Sequence, residues 1–267
     1  MKRIPIIVAL ALAISSFALG LTMQHPAPGN KSGTAAHSDE DWGYEGSKLP
    51  PDKWATRYPD CGKTTQSPIR IINPVRKALP AIVFEYQQTN VKVVCEHHGL
   101  KVNYDPGSSI KLKDKTYHLK QFHFHLPSEH RVGNKSFAVE MHLVHETDSG
   151  ERAVIGVLIE KNPNSPDNPA YKPIVDSLPK CPEPYTGPVP VVNAIDLLPK
   201  MRSYYTYDGS LTTPPCTPCV QWFVLTTPVE LSPQQVDAFF SAQGSKTNNR
   251  PVQDLNNRKV EQSSSRD

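Results

Sequence analysis

Two stretches of this chain alternate with period two, and each sets histidines on one side of the alternation. The first reads Gln121-Phe122-His123-Phe124-His125. A strand points successive side chains to opposite faces, so His123 and His125 project together while Phe122 and Phe124 anchor the other side. At about 3.3 Å rise per residue the two Cα atoms lie about 6.5–7 Å apart, close enough for both imidazoles to converge on one ion. The second stretch, Val139-Glu140-Met141-His142-Leu143-Val144-His145, puts Glu140 and His142 on a common face. The intervening residues are enough for the chain to turn and return on a neighbouring strand. A carboxylate beside a ligating histidine accepts its ring N–H, fixes the tautomer and raises its basicity. Glu140 can do this for His142, and the Gln121 amide oxygen for His123. Three neutral histidines with an open fourth position describe a catalytic zinc site. His118 is out of phase with His123, and His145 with His142, so both are read as non-ligands. His130 follows Glu129 in a turn and is read as a loop support.

The rest of the composition narrows the classes. Against 29 Lys and Arg stand 26 Asp and Glu, and two of the cations, Lys2 and Arg3, precede a long apolar run. The near-neutral body excludes a basic nucleic-acid footprint. Residues 1–24 read as a secretory signal with Ile4 to Leu21 as its apolar region and no single cleavage site. An uncleaved anchor is the alternative, since about 18 apolar residues is the lower edge of a spanning helix. Export, periplasmic or secreted, implies an oxidising compartment. Residues 25–40 are small and polar, a linker. One domain is expected over 41–260, followed by a polar tail over 261–267, with fraying from Asn256 onward.

Within that domain the pattern is mainly β. Strand-like runs cover Ala81–Tyr86, Val91–Val94, Leu100–Tyr104, Tyr117–His125, Phe137–His145, Val154–Glu160 and Val220–Thr226, separated by Pro, Gly, Asn and Asp clusters. Ser232, Pro233 and Gln235 predict a capped helix with Val236, Phe239 and Phe240 on its apolar face, Gln235 closing a capping box. A weaker helix is predicted from Ala170 to Leu178.

These pieces, with others in order, make the chain resemble the α-class carbonic anhydrases over roughly residues 40–260. Trp42-Gly43-Tyr44, Gln66-Ser67-Pro68-Ile69, the two histidine stretches, Ser128-Glu129-His130, Tyr207–Cys216 and Asn248-Asn249-Arg250-Pro251 carry the match. The resemblance implies a single large, mostly antiparallel twisted sheet flanked by a few short helices. It implies one zinc per chain on His123, His125 and His142. The reaction would be reversible hydration of carbon dioxide to bicarbonate and a proton, by zinc-hydroxide attack. Thr212 would accept a hydrogen bond from the attacking hydroxide and donate its own hydroxyl hydrogen bond to Glu129, which as a carboxylate only accepts. Gln121, Glu140 and Asn248 would stand behind the ligands. Val144, Val154, Leu211 and Trp222, with Thr213, would line the substrate pocket. His98, in Cys95-Glu96-His97-His98-Gly99-Leu100, takes the proton-shuttle position. Glu96 and Lys101 stand there where the family usually has small amides. Sulfonamides and anions are the inhibitors implied, and a homodimer stays open.

Five cysteines leave at least one unpaired in a monomer. The resemblance pairs Cys61 with Cys216; Cys95, Cys181 and Cys219 are left without an assigned partner. Two rival families share parts of the pattern. A cupin could use His123, His125, Glu129 and His142, but Tyr117 and Ser136 stand where that pattern wants glycines, and Gly209–Pro215 would go unexplained. A binding module that has lost its metal would lack at least one ligand histidine, and all three positions are filled.

Overall fold

The structure is a computed structural model and describes residues 42–96 and 99–264. The expectations for the leader, the linker, His97 and His98 lie outside the described residues. A twelve-stranded sheet dominates. Its main path runs through Val75–Lys77, Glu261–Ser263, Tyr204–Ser210, Pro218–Leu225, Arg152–Lys161, Val139–Glu146, Lys115–His125, Gly99–Asn103 and Val93–Glu96. Most neighbours are antiparallel. The sheet is nevertheless mixed, because Arg152–Lys161 runs parallel to Pro218–Leu225 and to Val229–Leu231, and Glu261–Ser263 runs parallel to Val75–Lys77.

The central strands follow from their sequence. Val139–Glu146 and Arg152–Lys161 are rich in β-branched and aliphatic residues and lie with apolar packing on both faces, as interior strands must. Lys115–His125 is the long partner of Val139–Glu146, and a register shift at Val144/His145 interrupts their ladder. That bulge changes the alternation: Leu119 is buried in the same core as Phe122 and Phe124 despite its odd spacing from them. One face of the sheet packs Phe122, Phe124, Met141, Leu143 and Ile155 against the helix Pro233–Ala242, with the Phe124 and Phe239 ring centroids 4.7 Å apart. The other face carries Val154, Tyr207, Trp222 and Val224, packed against Ile69 and Ile71.

Several expectations change. Ser232 Oγ caps the helix by accepting from Gln235 N at 3.2 Å, but the reciprocal arm of the capping box is absent. Gln235 instead clamps Asn168, accepting from its N–H at 2.7 Å and donating to its carbonyl at 2.9 Å, because the loop before the helix folds back over it. The weaker helix contracts to Lys172–Asp176. The polar tail is not frayed at its start: Glu261–Ser263 slots between Tyr204–Ser210 and Val75–Lys77, where backbone pairing on both sides supplies what its polar side chains do not. Tyr204–Ser210 is a strand outside the runs expected from sequence, paired with Pro218–Leu225 on one side and Glu261–Ser263 on the other. Cys61 is bonded to Cys216, and Cys95 to Cys181; Cys219 is free and exposed.

Candidate metal centre

The register of the central strands builds the site rung by rung. His142 is the cross-strand partner of His123, Glu140 of His125, and Val144 of Gln121. On the far side of the Val139–Glu146 strand, His142 faces Gly156 and Val144 faces Val154, whose own partner is Trp222. Histidines therefore form one rung, and Val144, Val154 and Trp222 lie on the next but one along the same face. A Cβ at Gly156 would come within 3.1 Å of Glu140 Oε1, so the missing side chain makes room for that carboxylate. The sequence signal for this was a lone glycine inside a strand.

Ligating atoms of His123, His125 and His142 lie within 4.8 Å of one another. Each ring is oriented by an acceptor. His123 Nδ1 is 2.8 Å from Gln121 Oε1, and His125 Nδ1 is 2.8 Å from the Asn248 carbonyl. Those oxygens can only accept, so both Nδ1 atoms carry the proton and both Nε2 lone pairs are free. His142 is reversed: its Nε2 is 2.9 Å from Glu140 Oε1, which leaves Nδ1 as the free nitrogen. His125 Nε2 is buried without any hydrogen-bond partner. Burial lowers the proton affinity of all three rings, that of His125 to about 4. For His123 the neighbouring rings and Lys101 add to burial. All three are neutral at pH 7, the state in which imidazole binds a metal. A buried nitrogen lone pair with no partner, aimed into a cluster of two more, fits a metal ion.

Glu140 is the hub behind the three histidines. Its Oε2 accepts from the Glu129 and His130 backbone N–H groups at 2.9 and 2.8 Å, and its Oε1 meets His130 Nδ1 at 2.7 Å. Burial raises its pKa, but its electrostatic and hydrogen-bonding interactions with the His130 and His142 rings outweigh this and hold it well below the usual carboxylate range. His130, Glu140 and His142 also form a compact buried group. Direct hydrogen bonds already join its members, so it is a network and not a second cage. The network continues from His130 Nε2 to the Tyr207 hydroxyl at 2.7 Å and on to Ser67 Oγ at 2.8 Å. His130, expected as a loop support, is here tied to Tyr207 and Ser67, which lie far from it in sequence and carry no local pattern that links them to it.

Burial pushes the Glu129 carboxyl up to about 7, opposed by the His142 ring, the Arg250 backbone N–H and the Thr212 hydroxyl. Arg250 N donates to Glu129 Oε1 at 2.8 Å, while its guanidinium is spent on Gln66, Ser67 and Cys61. Val144, Val154, Leu211 and Trp222 fall in one apolar cluster. Thr212 is buried and Thr213 half-buried in the loop that ends at Cys216. Asn248 acts mainly through its backbone: its carbonyl holds His125, and its side chain grips the Phe124 carbonyl and the Leu126 N–H at 2.9 and 2.7 Å. Gly99 approaches it closely, since a Cβ there would lie 2.3 Å from Asn248 Nδ2. His145 points to the opposite face, where its Nε2 meets the Tyr86 hydroxyl at 2.7 Å, and His118 lies near Asp148 at the surface. Neither joins the cluster.

Comparison with known proteins agrees with this geometry. The sequence profile of the eukaryotic-type carbonic anhydrases matches residues 49–264. A carbonic anhydrase of Neisseria gonorrhoeae is 39% identical over 236 residues, covering 85% of this chain and 90% of its own. One from a Nostoc species is 37% identical over 230 residues, covering 82% and 85%. The solved α-carbonic anhydrase of Thermovibrio ammonificans, in complex with the inhibitor sulfanilamide, superposes with a TM-score of 0.77 at 37% identity, covering 82% of this chain and 98% of that one.

Proposed function

The chain belongs to the eukaryotic-type carbonic anhydrase family, and from that premise we propose how its own residues carry out the interconversion of carbon dioxide and bicarbonate. The enzyme holds a metal through His123, His125 and His142, and we assign it as one zinc per chain. Three neutral imidazoles around an open position are the donor set of catalytic zinc. One feature carries this reading: the buried, partnerless His125 Nε2 within reach of the free nitrogens of His123 and His142. When bound, zinc lowers the pKa of a coordinated water to about 7.

The protein's part is orientation, exclusion and proton handling. Glu129 accepts a hydrogen bond from the Thr212 hydroxyl, which commits a lone pair of Thr212 to accept from the attacking nucleophile. This requires Glu129 ionised; its neighbours favour that form, and an added cation in the histidine cluster acts in the same direction. Val144, Val154, Leu211 and Trp222 offer carbon dioxide an apolar wall two rungs from the histidines, and Thr213 borders it. Glu140, Gln121 and Asn248 hold the ligand rings in fixed tautomers. His98 carries the product proton outward, as the only common side chain that titrates near neutrality can. The two disulfides suit an exported protein, with residues 1–24 as its signal and 25–40 as a linker. A sulfonamide anion would compete for the open position.

Stopped-flow hydration of carbon dioxide on purified, metal-quantified protein tests the reading. Hydration activity that tracks zinc content at one per chain is expected. Full activity after complete zinc removal, or no zinc uptake, would overturn it.

A further inference from the structure

The strand Gly99–Asn103 lies beside Lys115–His125, and Lys101 is the cross-strand partner of His123. Leu100 and Val102 are fully buried in the core on one face of that strand. Lys101 alternates to the other face and shares it with His123. Val94 is the partner of Lys101 on the next strand, so Glu96, two residues on, also faces that side. Lys101 Nζ and the Glu96 carboxylate form an ion pair, with the lysine side chain 22% exposed and the glutamate 52%. A cation thus stands largely covered on the wall beside a metal ligand, and its counter-ion is the more exposed partner.

We propose that Lys101 is a specificity-determining residue that favours anions over neutral ligands at the metal centre, with Glu96 holding that preference in check. The inference rests on the proposed three-histidine metal site. Carbon dioxide is neutral and feels the pair little. Bicarbonate and other small monovalent anions feel a positive field from the less screened partner and a weaker negative one from the partner nearer bulk water. The two charges therefore do not cancel at the histidines. Removing either one should move anion affinity in opposite directions, which a purely structural contribution of the ion pair cannot do, because breaking the pair from either side loosens the same hairpin.

The experiment is calorimetric titration of the zinc-loaded wild type, Lys101→Gln and Glu96→Gln with thiocyanate at low ionic strength, with zinc content measured on each sample. Lys101→Gln should weaken thiocyanate binding about three-fold, and Glu96→Gln should tighten it by a similar factor, the size expected of one partly exposed charge. Unchanged affinity in both zinc-loaded variants, or a shift of the same sign in both, would overturn the inference alone. A wild-type chain that takes up no zinc would instead overturn the reading of the site, and the inference would fall with it.

Discussion

Nε2 of His142 sits 2.9 Å from Oε1 of Glu140, so this ring turns its Nδ1 toward the cluster while His123 and His125 turn their Nε2. The reversed ring is the one anchored to the buried carboxylate hub. A Glu140→Gln amide oxygen can still accept one ring N–H, but it loses the charge that Glu140 shares among four donors. Zinc affinity should fall by about 10–100-fold in that variant. His142→Ala should lose stoichiometric zinc and activity together. Competition titration against a chromogenic chelator measures both; full zinc retention by His142→Ala would refute the ligand assignment.

Thr212→Ala should keep zinc and lose hydration rate, because nothing then fixes the nucleophile against Glu129. The expected loss is about 100-fold, within the range for removal of one positioned polar group in an active site. Normal turnover at normal metal content would contradict the pairing of Thr212 with Glu129.

Proton export and attack on carbon dioxide separate kinetically. His98→Ala should slow kcat in weak buffer, leave kcat/KM for carbon dioxide unchanged, and be rescued by added imidazole. If His97→Ala shows that pattern and His98→Ala does not, the shuttle assignment is wrong by one residue.

The disulfides close loops with sequence separations of 155 and 86. By the chain-entropy estimate each contributes about 4.5–5 kcal/mol, less any strain. Non-reducing peptide mapping should find Cys61 with Cys216, Cys95 with Cys181, and Cys219 alkylated. Cys95→Ser combined with Cys181→Ser should lower the unfolding midpoint in the absence of reductant and remove part of the loss that reductant causes in the wild type. Recovery of Cys95 as a free thiol from oxidised native protein would rule out that bridge.

His145 gives a signed pH dependence. Burial lowers its pKa from 6.5 to about 3. The folded state therefore resists protonation that the unfolded chain accepts. Its contribution is fully present above about pH 6.5 and is lost as pH falls toward 3, by up to about 5 kcal/mol in total. Replacing the pair Tyr86 and His145 by Phe removes this titration without stranding the Tyr86 hydroxyl. Urea unfolding between pH 6 and 4 should then be less steep in pH by about 1.4 kcal/mol per unit. An unchanged slope would show that His145 is already protonated in the folded state.

The alternation of Gln121 to His125 and of Val139 to His145 was enough to set His123 and His125 with Gln121 on one strand face, and His142 with Glu140 on another. Side-chain direction along a strand is a local property of the backbone, so it is written in the order of residues. The position of the helix at Pro233–Ala242 was legible for the same reason: Ser232 and Pro233 act within one turn. What the sequence did not carry was decided by register between distant segments. His125 is oriented by a carbonyl from Asn248, His130 by Tyr207, and Cys95 finds Cys181, each across a separation that no periodicity spans. Gly156 matters only because pairing sets it opposite His142, and Glu261–Ser263 is a strand only because two neighbours offer it hydrogen bonds. Such contacts depend on which strands the closed sheet brings side by side, and the packing of the whole core fixes that choice.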